Sequence, residues 1–195
     1  MSLSIIIAGF GGQGVLFAGS LLSHACILES KNTTWIPAYG AEMRGGTANC
    51  SVNIADENEH IASPVINKAD IIIVLNQSSF NTFQNRVKKR GILICNAKLM
   101  QSKNRDDITY YPIDIDSYIS KIETPYFINV FMIGILIKLT EVLSPEYIIQ
   151  ALKEMIPEKK ADLIKSNINS FNAGLNYIDK NLNNTPSDHL YNLAI

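Results

Sequence analysis

The sequence predicts a doubly wound α/β protein with a mostly parallel central sheet, an inserted hairpin and a group of C-terminal helices. Three observations carry that prediction. The runs at 5–8, 71–75 and 92–95 are apolar at every position, as strands covered by helices on both faces have to be. Segments of helical period lie between and after them. A burst of glycines, Gly9 to Gly14, stands where the first strand must turn into the first helix.

Taken in order, "SIIIA" (4–8) is the first strand and 14–28 the first helix. "TTWIPA" (33–38) and "ANCSVNIA" (48–55) are strands joined by a loop rich in Gly and Pro, with no helix between them, which is why a hairpin is expected over 36–65. "ADIIIVLN" (69–76) is the next strand, followed by a helix over 77–89 and by "GILICN" (91–96). "ITYYPI" (108–113) is the last strand. Helices follow over 126–140, 144–155 and 159–180; the second has Ser144 placed to cap, Pro145 at the first helical position and Glu146 at the positive end. Residues 1–181 read as one domain, and 182–195 lose the hydrophobic period and read as a polar C-terminal tail.

Composition excludes several classes. The 195 residues suffice for one core burying roughly 70% of the unfolded surface. With 17 Lys and Arg against 18 Asp and Glu there is no net field to draw in nucleic acid. The apolar run "FINVFMIGILIKL" (127–139) is shorter than the about 20 residues a bilayer demands and contains Asn129, so it reads as a buried helix. The N-terminus lacks a positively charged region ahead of its apolar run, and a cytoplasmic location is expected. Cys26, Cys50 and Cys95 are far apart and read as buried small hydrophobes; His24, His60 and His189 form no ligand pattern, so no metal site is expected.

Two stretches carry chemistry. Gly9, Gly11 and Gly14 fit G-x-G-x-x-G after a buried strand and before a helix, the Rossmann-like arrangement in which unpaired N–H groups and the helix dipole receive an anion. The alternative is a turn that needs glycine only to pack the helix on the sheet, with Ala18, Gly19 and Ala25 as further small contacts. A dinucleotide would also want an acidic residue at the end of the second strand for its ribose; "TTWIPAYG" ends without one, and the first acid afterwards is Glu42. NAD(P) chemistry is therefore the lesser reading. The second stretch is "PAYGAEMRGGTANC" (37–50), where Tyr39, Glu42, Met43 and Arg44 stand beside Gly45 and Gly46 in a contact loop. Arg44 is suited either to a bidentate grip on a phosphate or carboxylate or to an ion pair with Glu42.

Together with "ADIIIVLNQ", "NVFMIGIL" and "MIPEKKADLIKSNINSFNAG", these two stretches resemble the gamma subunit of 2-oxoacid:acceptor (ferredoxin or flavodoxin) oxidoreductases, most closely the 2-oxoglutarate branch, with branched-chain 2-oxoacid enzymes next. The resemblance implies a subunit, not catalytic alone, of a 2-oxoglutarate synthase that converts 2-oxoglutarate and coenzyme A to succinyl-CoA and CO2 while reducing ferredoxin or flavodoxin. It places thiamine diphosphate, Mg and [4Fe-4S] clusters in alpha, beta and delta partner subunits, with no cofactor held by this chain alone. It makes Gly9, Gly11, Gly12, Gln13 and Gly14 the candidates for a coenzyme A phosphate. It turns Tyr39, Glu42, Met43, Arg44, Gly45 and Gly46 toward the partner subunits and the shared active site.

Overall fold

The computed structural model describes residues 2–40, 46–115 and 127–181. Its strands are β1 (Ser2–Phe10), β2 (Asn32–Tyr39), β3 (Thr47–Ala55), β4 (Ala69–Val74), β5 (Val87–Asn96) and β6 (Thr109–Ile113). Its helices are α1 (Val15–Leu28), α2 (Gln77–Phe83), α3 (Ile128–Thr140), α4 (Pro145–Met155) and α5 (Ala161–Asn181). One sheet runs in the order β2-β3-β1-β4-β5-β6. The pairs β1–β4, β4–β5 and β5–β6 are parallel, and β1–β3 and β2–β3 are antiparallel.

The all-apolar strands are explained by what covers each face. Cys50, Ile7, Ile73, Ile94 and Tyr111 form one cross-sheet row. It packs under α1, α3, α4 and α5 in a core that includes Leu21, Phe131, Leu152 and Phe171. The alternate residues Ile6, Ile72 and Leu93 meet Phe80 and Phe83 of α2 on the other face. Over 5–8, 71–74 and 92–95 neither face of β1, β4 or β5 is left to water, so alternation is lost from the sequence there. Among the described residues the doubly wound sheet is lopsided, with four α-helices on one face and one short α-helix on the other. Among the described residues no helix is long and apolar enough to cross a membrane.

Helix α3 is the buried apolar helix expected of 127–139, with Val130 to Ile137 all buried. It lies against α5, whose Asn167, Phe171, Gly174 and Ile178 recur at helical spacing on the inward side. Gly134 and Gly174 face each other where the helices cross: a Cβ on either would stand 3.0 Å from the other's Cα and closer still to the backbone carbonyl of Phe171 or Phe131. Backbones meet there with no room for a side chain.

The expected hairpin forms from β2 and β3, and its second strand lies beside β1, paired with it from Ser2↔Ala55 to Phe10↔Thr47. Two expectations need correction. The helix expected over 77–89 ends at Phe83, passes through a 3-10 turn (Gln84–Arg86), and gives way to β5 at Val87. Phe80, Phe83 and Val87 imitate a helical stripe, but Val87 pairs with Ala69 across the sheet, and a bulge between Ala69 and Ile71 loops out the exposed 88–90. Pro145 and Glu146 do open α4, yet Ser144 makes no side-chain cap. Its N–H and hydroxyl donate instead to the Glu29 carboxylate, at 2.8 and 3.3 Å.

Candidate functional site

The glycine turn leaves the carboxyl end of β1 and enters α1. The amide of Gln13 donates to the Phe10 carbonyl at 3.1 Å, closing a four-residue turn. Its third residue, Gly12, has a φ of 94°, at the position where type II turns call for glycine. Gly14 also takes a left-handed conformation, φ 73°, and starts α1 as its N-cap. Among the described residues no acceptor meets the amides of Gly12 and Gly14, whereas the Gly11 amide donates to the carbonyl of Gly46 at 3.0 Å. That bond brings the end of the second sequence motif against the first.

Side-chain amides hold the turn in place. Gln13 Oε1 accepts from the Phe10 amide at 2.7 Å and from Asn76 Nδ2 at 3.0 Å, and Gln13 Nε2 donates to the Leu75 carbonyl at 3.4 Å. Gly9 is glycine for the same reason, since a Cβ there would lie 2.7 Å from Gln13 Oε1. On the opposite side, Asn129 Nδ2 of α3 donates to the Gly14 carbonyl at 3.1 Å. A buried amide bonded to backbone is what its place in an apolar helix calls for.

Beside the turn opens a cleft of about 490 Å³, walled by Gly12, Gln13 and Gly14, by Phe17 and Leu75, and by the amides Asn96, Asn129 and Asn167. Ile128, Ile156 and Leu163 supply apolar surface. The cleft sits at the carboxyl ends of β1, β4 and β5, where chain leaves β1 toward β2 on one side and β4 lies on the other. This is the switch point at which open α/β sheets take ligands, and the volume suits a small organic ligand. No charged side chain lines it among the described residues. An anion would meet backbone amides and the positive end of α1, and the rest of a ligand would meet apolar surface and neutral amides.

Of the residues expected from sequence, Gly9, Gly11, Gly12, Gln13 and Gly14 are brought together, with Gly46 bonded to Gly11. Tyr39 ends the edge strand β2, is 75% exposed, and shares a cross-strand row with Ala48 and Gly9. Glu42, Met43, Arg44 and Gly45 lie outside the described residues. Asn96 and Asn167 were not foreseen. The signal was an amide at the end of a buried strand and another on the apolar stripe of a helix. The dinucleotide reading loses further ground to the topology: β3 stands between β1 and β2, which moves the end of β2 about 10 Å from β1 instead of one strand spacing.

Among the described residues the remaining titratable groups do not gather into a metal-type cluster. Cys26, Cys50 and Cys95 are buried, and burial pushes each thiol up to about 12. Among the described residues no three His, Cys, Asp or Glu side chains converge. His24 pairs with Glu154 at 2.7 Å between α1 and α4.

Comparison with known proteins accounts for this architecture. Residues 4–177 match the family pyruvate ferredoxin/flavodoxin oxidoreductase. A 2-oxoglutarate synthase subunit KorC from Methanocaldococcus jannaschii is 32% identical over 162 residues, 81% of this chain and 86% of that protein. The ketoisovalerate oxidoreductase subunit VorA of Methanothermobacter marburgensis is 30% identical over 90% of this chain, which spans only 36% of that longer protein. In fold, the chain is similar to the gamma subunit of a keto/oxoacid ferredoxin oxidoreductase from Geobacter sulfurreducens, with a TM-score of 0.73, 24% identity, and coverage of 91% of this chain and 99% of that one. The chain belongs to the pyruvate ferredoxin/flavodoxin oxidoreductase family.

Proposed function

We propose that this chain is the gamma subunit of a cytoplasmic, multisubunit 2-oxoglutarate:acceptor oxidoreductase, and that its cleft forms one wall of the coenzyme A site. The overall reaction joins 2-oxoglutarate and the coenzyme A thiol to give succinyl-CoA, CO2, a proton and two electrons, which pass to ferredoxin or flavodoxin. Alpha, beta and delta partners would supply thiamine diphosphate, Mg and [4Fe-4S] clusters.

The observation that carries the reading is the cleft itself. It joins two backbone amides that meet no acceptor among the described residues, Gly12 and Gly14, to an uncharged and largely apolar wall. Coenzyme A is an anion at one end and a neutral, amide-bearing arm at the other, and both chemistries are present in one place. Gly12 and Gly14 are assigned to the anionic group. Gly9, Gly11 and Gln13 shape the turn that presents them. The loop from Tyr39 through Glu42, Met43, Arg44, Gly45 and Gly46 is assigned to the partner subunits, and the Gly11–Gly46 bond ties its end to the glycine turn. The choice of 2-oxoglutarate is supported by the E-M-R-G-G-T-A-N-C motif and by the KorC relative; the VorA relative makes 2-oxoisovalerate the alternative substrate.

The test is purification of the native complex followed by coenzyme A-dependent reduction of a viologen dye with 2-oxoglutarate, 2-oxoisovalerate and pyruvate in parallel. Preference for 2-oxoglutarate supports the proposal. Preference for either other acid reassigns the substrate, and saturable NAD(H) binding without dye reduction would reinstate the dinucleotide reading. In the same complex Gly12→Val, whose side chain meets no atom within 4 Å but must be held at a φ of 94° that strains a branched residue, should raise the KM for coenzyme A.

A further inference from the structure

The coenzyme A reading leaves unexplained why the turn is held by three side-chain amides when glycine alone would let it form. Asn76 occupies the junction of β4 and α2. Its Oδ1 accepts from the Ser79 amide at 2.8 Å and so caps α2, and its Nδ2 donates to Gln13 Oε1 at 3.0 Å. Gln13 Oε1 thus receives two donors, Asn76 and the Phe10 amide, while Gln13 Nε2 reaches the Leu75 carbonyl. From the other face of the sheet, Asn129 donates to the Gly14 carbonyl. That carbonyl already accepts from the Ala18 amide at 3.0 Å, so α1 does not need Asn129 in order to form.

The geometry points to Asn76 and Asn129 as positioning residues for coenzyme A binding, acting through Gln13 and Gly14 to aim the Gly12 and Gly14 amides into the cleft. The inference rests on the coenzyme A reading of the cleft. A turn with two glycines at positive φ is free to rotate its peptide planes, and an anion site built from peptide N–H groups works only if those planes are set before the ligand arrives. Asn76 ties one end of the turn to β4 and α2; Asn129 ties the other to α3. Each bond needs an amide N–H₂ as donor, which is why asparagine and not aspartate fits both places.

Asn76→Asp separates the two roles of that residue. Aspartate is as good an N-cap as asparagine, so α2 is kept, but a carboxylate cannot donate to Gln13 Oε1. Asn129→Ser is the second variant, shorter and unable to span to the Gly14 carbonyl. In the assembled complex each should raise the KM for coenzyme A about fivefold, the affinity equivalent of one neutral hydrogen bond, with a smaller change in kcat and none in the KM for the 2-oxoacid. Asn76→Gln in the same assay should recover less than wild type and more than Asn76→Asp, because it keeps the donor at a longer reach. Gly12→Val is the control for the reading beneath: if it raises the coenzyme A KM while Asn76→Asp and Asn129→Ser leave it unchanged, the positioning role is wrong and the site stands. If Gly12→Val also has no effect, both fall. Equal rises in the KM values of coenzyme A and 2-oxoacid would mark a general loosening of structure and overturn the proposal as well.

Discussion

Replacing Gly14 with alanine tests the local reading of the turn most directly, because two separate penalties can be worked out from the coordinates. The first is conformational: φ 73° and ψ 20° lie in the left-handed region, which costs an alanine about 1–2 kcal/mol. The second is steric, since the new Cβ would stand 2.5 Å from Asn129 Nδ2 and 2.8 Å from its Cγ. Asn129 must then swing away and lose its bond to the Gly14 carbonyl, worth about 1 kcal/mol, with some repacking of its buried surroundings. Together Gly14→Ala should destabilise the chain by about 2–4 kcal/mol. Asn129→Ala alone should cost about 1–2 kcal/mol, because the Gly14 carbonyl keeps Ala18 as donor. In the double variant the clash is gone and only the left-handed strain is added. The two changes should therefore fall short of additivity by about 1–2 kcal/mol. Urea unfolding of the four purified chains, with the slope checked for constancy, measures that coupling. Additivity within about 0.5 kcal/mol would refute the contact between Gly14 and Asn129, and a neutral Gly14→Ala would refute the left-handed N-cap itself.

Other consequences are as specific. Gly174→Ala and Gly134→Ala each force apart two helices that touch through backbone, and each should lower stability by about 2–3 kcal/mol in thermal melting, more than the same change at Gly11, where a Cβ meets only the Gly46 carbonyl at 3.9 Å. Glu29→Ala should weaken the start of α4 more than Ser144→Ala does, because the carboxylate and not the serine hydroxyl receives the Ser144 amide; helix content and urea midpoints compare the two. Burial acts to raise the pKa of Asp70, but the Ser4 hydroxyl and amide and the Lys88 ammonium outweigh it, and the net shift is downward. A depressed carboxyl stabilises the fold above the ordinary carboxylate range and loses that contribution as pH falls through its folded value. The stability gap between wild type and Asp70→Asn should accordingly be widest near neutrality and close toward pH 3, as unfolding at a series of pH values will show. With their thiols pushed up to about 12 by burial, Cys26, Cys50 and Cys95 should resist a thiol reagent at pH 8 in the native chain and react fully once it is unfolded.

What the sequence by itself determined is the set of strands with two covered faces, the place of the glycine turn, the buried character of α3, and the family, because each is written in local pattern: unbroken apolar runs, glycine spacing, and one motif following another. Pro145 and Glu146 marked the start of α4 in the same local way. What only the tertiary structure decided depends on residues far apart in the chain. Val87 continued a helical stripe in sequence, and its pairing with Ala69 made it a strand. The hairpin was legible, but not that β3 would separate β2 from β1, since pairing register is settled between strands rather than within one. Ser144 had the chemistry of a cap and spent it on Glu29, 115 residues away. The cleft was the least legible of all. Gly14, Asn96, Asn129 and Asn167 lie on a turn, a strand end and two helices, and asparagine carries no charge or metal-ligand spacing to announce it. Folding brings those neutral amides to the carboxyl ends of β1, β4 and β5, and their shared position is what opens a cleft beside the glycine turn.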